Sequence, residues 1–195
     1  METYQQEEQV EPQKNEEEQI NWRRFALDIL ETLILAVVLF IGINAVSARV
    51  RVDGFSMLPT LEDGEFVLVN KLSYQFGEVQ RGDIIVFHYP VNPDEELIKR
   101  VIGVPGDHIW VNNNQVILNG QVLNEPYIAE TPLYEGEWKV PEGYLFVLGD
   151  NRNDSSDSHS WGLLASEKVV GKAVLIYWPP PLWKVIKHTD ILATQ

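Results

Sequence analysis

Ser56, in the stretch Gly54-Phe55-Ser56-Met57-Leu58-Pro59-Thr60, is the first residue that could do chemistry. A serine hydroxyl is a weak nucleophile and needs a base to take its proton. The Gly-x-Ser-x-Gly elbow is absent, because Leu58 stands where the second glycine would be. The four histidines, His88, His108, His159 and His188, have no metal-ligand spacing to one another, so no metal site is expected. The chain has no Cys, which removes thiol chemistry and disulfides together. Lys99 is the more telling partner for Ser56. In the apolar run Leu97 to Gly103, strand alternation puts Lys99 with Leu97 and Val101, and Arg100 with Ile98 and Ile102. Both faces are otherwise apolar, so at least one cation is directed into apolar surroundings. Burial disfavours the ammonium and lowers its pKa from about 10.4. Reaching about 7–8 takes roughly 3–4 kcal/mol of differential destabilisation. A neutral lysine could then take the Ser56 proton. The plain alternatives are a surface serine and a lysine whose stem lies on the domain while its head reaches water.

A third segment runs from Gly149 through Asp150, Asn151, Arg152, Ser155, Asp157 and His159 to Gly162. Such an Asp/Asn/Ser-rich stretch is ordinarily a solvated loop. It fails the spacing of a calcium-binding loop, and no Glu closes it. Because it follows the apolar strand Tyr144 to Leu148, it could instead orient a buried ammonium through hydroxyl contacts.

These groups need elements to hold them. The 195 residues fit one domain or one and a half. The net charge is −14, of which −6 falls on the tail Met1 to Gln19, and no basic stripe offsets it, so nucleic acid is not an expected partner. Residues 1–20 read as a disordered acidic tail. Thr32 to Ala48 is a 17-residue uncharged stretch, at the short end of a spanning helix. Arg23, Arg24 and Trp22 favour a cytoplasmic N-terminal side; Arg49 and Arg51 beyond it argue the other way. A rival reading takes Leu33 to Ile43 as the core of a signal peptide and Val46-Ser47-Ala48 as its cleavage site. Ser56 lies eight residues past Ala48, so at most roughly 29 Å from the end of the run.

After Ala48 the texture becomes short β-like runs. Strands are expected at Val50–Phe55, Phe66–Val69, Asp83–Tyr89, Leu97–Val104, Ile109–Val111, Val116–Leu118, Val122–Leu123, Tyr144–Leu148 and Val169–Trp178. Asn119-Gly120 signals a hairpin. Glu125 to Gly143 reads as loop, and the one short helix expected lies around Ser166 to Val170. The fold class is all-β, with antiparallel sheets, a hairpin insertion at 108–140 and one N-terminal transmembrane helix.

Four stretches then stand in order: Ser56-Met57-Leu58-Pro59-Thr60-Leu61, Arg81-Gly82-Asp83-Ile84-Ile85-Val86-Phe87, Lys99-Arg100-Val101-Ile102-Gly103-Val104-Pro105-Gly106-Asp107, and Gly149-Asp150-Asn151-Arg152 through Ser155-x-Asp157-Ser158. They resemble the boxes of bacterial type I signal peptidases of the single-anchor kind, including cyanobacterial members. The resemblance covers residue 20 to about 178. It implies a membrane-anchored Ser–Lys endopeptidase that cuts signal peptides from exported preproteins after Ala-x-Ala, with no cofactor. Ser56 would be the nucleophile and Lys99 the general base. Ser155 would hydrogen-bond the lysine, Asp157 would hold the loop by ion pairing, and Asp150 and Arg152 would support them. The Ser56 N–H would supply part of the oxyanion hole. Gly54 stands where some members have a serine, and His159 where many have an arginine. Substrate would add as a strand between the segments ending at Phe55 and Ile98. Met57, Leu97 and Ile98 would line its pockets, with Gly54 and Phe55 alongside.

By the same resemblance, 21–48 is the anchor, 49–107 with 141–195 the catalytic β domain, and 108–140 a small inserted subdomain. The expected partners are preprotein signal peptides and a lipid bilayer, and the chain is expected to be a monomer. The expected location is the cell membrane, or a thylakoid membrane, crossed once with the catalytic domain outside the cytoplasm. Tyr177 to Trp183 could touch headgroups as an aromatic belt or pack as ordinary aromatics. Two other readings stay open: a Ser–His–Asp hydrolase using His159 or His108, and a non-enzymatic anchored β module.

Overall fold

The computed structural model describes residues 21–192, so the tail at 1–20 lies outside the described residues. The apolar run forms helix α1, Trp22–Val46. Asn21 caps it, its side-chain oxygen accepting the Arg24 N–H at 3.3 Å. Its 25 residues reach about 37 Å, longer than the roughly 30 Å of bilayer hydrocarbon. The helix ends two residues earlier than the apolar run, because Ser47 and Ala48 already belong to strand β1, Ser47–Arg51.

From Gly42 onward the chain forms one compact unit. Its larger sheet is built from β1, β2 (Phe66–Asn70), β3 (Ile84–His88) and β4 (Glu96–Gly103), followed later in the chain by strands returning from an insertion. The insertion holds β5 (His108–Asn112), β6 (Gln115–Leu118), β7 (Gln121–Val122) and β8 (Gly136–Lys139). The chain then adds β9 (Tyr144–Leu148), helix α2 (Ser158–Trp161), β10 (Leu164–Ala165), β11 (Val169–Trp178) and β12 (Lys184–Val185). The larger sheet runs in the order β1-β2-β11-β3-β4-β9-β10, with β12 on β11; the smaller runs β7-β6-β5-β8. Every pairing is antiparallel, so the all-β class holds.

Residue pattern explains the layout. Ile84 to Phe87 are all buried, as their unbroken apolarity requires, because β3 lies between β11 and β4. Asn113 and Asn114, then Asn119 and Gly120, all take positive φ in the two-residue turns that fold β5, β6 and β7 on one another. The smaller sheet does not bury itself alone. Ile109, Val111, Val116 and Leu118 pack in one cluster with Ile102, Phe146 and Leu148 of the larger sheet.

Several expectations change. The strand expected over Val50–Phe55 stops at Arg51. Val52 still exchanges hydrogen bonds with Glu65 and Gly64, but Gly54 turns into the left-handed region (φ 95°) and gives its N–H to Asp63. The region read as loop, Glu125 to Gly143, contains β8, whose Trp138 packs against the core cluster beside Phe146. The strand β10 was not expected either. A helix forms at Ser158–Trp161 because Asp157 caps it and Ser160 returns a bond to the Asp157 N–H, a reciprocal cap. Around Ser166 only one 3-10 turn forms, Ser166–Lys168.

Candidate active site

The nucleophile turn is set by what lies beneath it. Met57 and Leu61 are buried (1% and 0% exposed) in the cluster with Val67, Ile84 and Ile98. Each such burial stabilises by roughly 1.5–3 kcal/mol, which pins the turn to the sheet. Within it, Leu58 N–H bonds Phe55 O and both Thr60 and Leu61 N–H bond Met57 O. Ser56 sits half-buried at the top. Among the described residues no group accepts its N–H.

β4 brings the base. Lys99 is 2% exposed, opposite the fully buried Ile85 of β3. Its Nζ lies 2.7 Å from Ser56 Oγ and 3.0 Å from Ile98 O. Burial pulls the ammonium down to about 8, although the Asp157 and Asp150 carboxylates favour the charged form. Lys99 and Arg100 are thus each buried, on opposite faces of one strand, as its alternation requires.

The polar stretch is not a solvated loop. It grips the nucleophile turn, Asn151 giving its N–H to Ser56 O (3.0 Å) and its Nδ2 to Phe55 O (3.1 Å). The approach needs Gly149, where a Cβ would collide with the Ser56 carbonyl and Ser155 Oγ. Asp150, fully buried, takes both arms of Arg100 at 2.8 and 2.7 Å and the hydroxyl of Thr60. Arg152 reaches back to Gly149 O with Nε and forks onto Glu125. Asp157 accepts the Gly149 N–H at 2.8 Å and the His159 ring at 2.6 Å.

Ser155 departs from expectation. Its Oγ is buried but makes no hydrogen bond to Lys99 or any other group. The hydroxyl lies close against Gly149, beside the Ser56 carbonyl, without a hydrogen-bond partner. The histidines do not serve Ser56: His159 bonds Asp157 and stacks on Tyr134 (4.1 Å between ring centres), and His108 bonds Glu137 at 2.7 Å. Of the substrate-side residues, Phe55 is exposed (57%) and Leu97 half-buried, whereas Met57 and Ile98 belong to the core, Ile98 at 7% exposure. β9 pairs with β4 only at Arg100, Val101 and Gly103, and β1 pairs only with β2. Glu96 to Lys99 and β1 therefore each leave one backbone edge unpaired by any described strand. Sequence reading had missed Thr60, Asn151, Glu125 and Tyr127; the first two lie inside the motif stretches, and the last two carry no local signal.

A model of the family described as signal peptidase, peptidase S26, matches residues 23–178. Signal peptidase I of Leptolyngbya laminosa is 46% identical over 159 residues, covering 77% of this chain and 78% of that one. Probable signal peptidase I-2 of Synechocystis sp. is 42% identical over 166 residues, covering 80% and 74%. Thylakoidal processing peptidase 1, chloroplastic, of Arabidopsis thaliana is 38% identical over 148 residues, 70% of this chain but 44% of that longer protein. With the match running from the apolar helix to the last long strand, and through every group just described, the chain belongs to the signal peptidase family, peptidase S26.

Proposed function

We propose that this type I signal peptidase cuts preproteins with a Ser56–Lys99 dyad, and the 2.7 Å contact between the two in a buried site carries the reading. The signal peptide enters as an added strand between the free edge before Ser56 and the free edge of Glu96 to Ile98. Neutral Lys99 takes the Ser56 proton as Oγ attacks the scissile carbonyl. The oxyanion forms against the uncommitted Ser56 N–H. Lys99 returns the proton to the leaving amine, the C–N bond breaks, and an acyl-enzyme remains. Water then gives a proton to Lys99, attacks the ester and releases the signal peptide, and Ser56 recovers its proton. Asp150, Arg152 and Asp157 hold the frame. Ser155 stands ready to accept from the lysine, since its hydroxyl is otherwise uncommitted. Gly54, Phe55, Leu97 and the little of Met57 and Ile98 that shows make shallow pockets that admit alanine and reject bulk, hence Ala-x-Ala.

Residues 21–48 anchor the chain in a cell membrane, N-terminus cytoplasmic. Residues 49–107 and 141–195 form the catalytic domain outside, and 108–140 the insertion. The thylakoid membrane is the alternative, favoured by the likeness to a thylakoidal peptidase. Trp178 (52% exposed) and Trp183 (66%), with Leu182 and Val185, are disposed to meet headgroups. One chain holds the whole site, so a monomer suffices. The test is cleavage of a preprotein by the full chain in detergent. Ser56→Ala and Lys99→Ala should each abolish cutting while the thermal melt persists. Cutting that survives Lys99→Ala and dies in His159→Ala would replace this mechanism with a histidine-based one.

A further inference from the structure

Between β7 and β8 the chain passes through Glu125 and Tyr127, neither of which lies in the four motif stretches. Glu125, its side chain 7% exposed, forks onto the two terminal nitrogens of Arg152, the cation whose Nε holds Gly149 O at 3.0 Å. Tyr127 gives its hydroxyl to Glu125 at 2.8 Å and lays its ring under Arg100, whose Cζ is 3.8 Å from the ring centre. Arg100 compensates Asp150, and Asp150 receives the Thr60 hydroxyl from the nucleophile turn. One side chain therefore touches the cation that ties the turn and the anion that ties the loop. An aliphatic residue would have sealed this space without either polar commitment.

We propose that Tyr127 is a positioning residue for peptide cleavage, holding Arg100 on Asp150 so that this anionic neighbour of Lys99 stays compensated. The proposal rests on the Ser56–Lys99 reading. Lys99 faces two carboxylates, Asp157 and Asp150, and Arg100 compensates the second. Without the ring, Arg100 keeps its bond to Gly82 O but is held less firmly on Asp150, which is left less compensated. A less compensated carboxylate beside the lysine favours the ammonium over the amine. The neutral base then becomes scarcer at any given pH, and the acid limb of kcat/KM moves to higher pH. A residue that merely supports the fold would instead lower kcat/KM by one factor at every pH.

The experiment measures kcat and KM of the full chain in detergent with a preprotein, across the pH range in which Lys99 titrates, for wild type, Tyr127→Leu, Tyr127→Met and Tyr127→Phe. Tyr127→Leu and Tyr127→Met should lower kcat at neutral pH by about tenfold, with KM within about twofold, and carry the acid limb upward. Tyr127→Phe, which keeps the ring under Arg100, should keep the limb of the wild type. Tyr127→Met, unbranched and adaptable, can follow the path of the lost ring where leucine cannot, so it carries the comparison if Tyr127→Leu does not fold. Limbs that superimpose on the wild type, with losses that follow only the folded fraction, overturn the proposal. Lys99→Ala is run beside them: activity there overturns the dyad instead, whereas an inactive Lys99→Ala with unmoved limbs overturns the Tyr127 proposal alone.

Discussion

Lys99 is held where its charge is unwelcome, and that has a stability consequence separate from catalysis. The folded chain lowers its pKa from 10.5 to about 8, mainly through burial. At about 1.4 kcal/mol per tenfold change in the proton equilibrium, this is roughly 3 kcal/mol against the folded state when the lysine is charged. The sign follows from proton counts. Between about 8 and the unfolded value the unfolded chain binds more protons, so stability rises with pH across that window. Below about 8 the whole deficit is present. Lys99→Met keeps the length and apolar body of the side chain and removes the ammonium, giving up the contacts to Ser56 Oγ and Ile98 O. Its inactive protein should be more stable than the wild type by roughly 2–3 kcal/mol at neutral pH, the gain shrinking as pH approaches the unfolded lysine value. Denaturant melts at several pH values measure it. A variant no more stable than the wild type would mean that the ammonium is better solvated than its burial implies.

At the scale of elements, catalysis depends on two loops in register, the nucleophile turn and the stretch after β9. Gly149 is where they come closest. Gly149→Ala puts a methyl group against the Ser56 carbonyl and Ser155 Oγ, so one loop must retreat and the Asn151-to-Ser56 bond must stretch. Overpacking of this kind costs about 1–3 kcal/mol in stability, and misplacing Ser56 by even an ångström should cut kcat about a hundredfold. Steady-state rates beside a thermal melt separate the two effects; wild-type kcat in a folded Gly149→Ala would mean that this contact does not aim Ser56. How legible each element was follows from the kind of signal it left. β3 and β4 could be read because continuous or alternating apolarity is itself a burial pattern, and it delivered Lys99 and Arg100 to opposite faces. The Asn119-Gly120 turn could be read from its need for positive φ. Helix α2 was hidden because Asp157 and Ser160 cap one another inside a stretch whose composition otherwise means loop. β8 was hidden because four residues with one large apolar side chain barely alternate. Thr60 and Asp150 are ninety positions apart, and Glu125 and Arg152 twenty-seven, so no local pattern could pair them. The expected Ser155 contact came from resemblance alone, and here its hydroxyl has no partner.

For the whole molecule the open question is whether it survives its own chemistry. Val46-Ser47-Ala48 offers small residues at the first and third positions before a bond to Arg49, after an apolar segment, which is the pattern this family cuts. The fold argues against cutting there. Ser47 to Arg51 is strand β1, paired with Asn70 to Phe66 of β2, and Ala48 and Val50 pack on the core cluster. A substrate for strand addition must present an extended backbone with both edges free and fit its small side chains into the pockets. Here one edge is committed to β2, and Ala48 sits against Val69 with its side chain half-buried. Opening the bond means losing β1 from the end of the sheet, which exposes Val67 and Val69, both fully buried. Uncovering two such side chains costs roughly 3–6 kcal/mol, so the open form is a fraction of a per cent of molecules or less. Mass spectrometry of the protein purified from membranes should therefore find the acidic tail and the apolar helix attached to the β domain. A product beginning at Arg49 would mean that β1 opens far more easily than its pairing implies. If that product vanished in Ser56→Ala, the cutting would be the protein's own; if it persisted, another peptidase would be responsible.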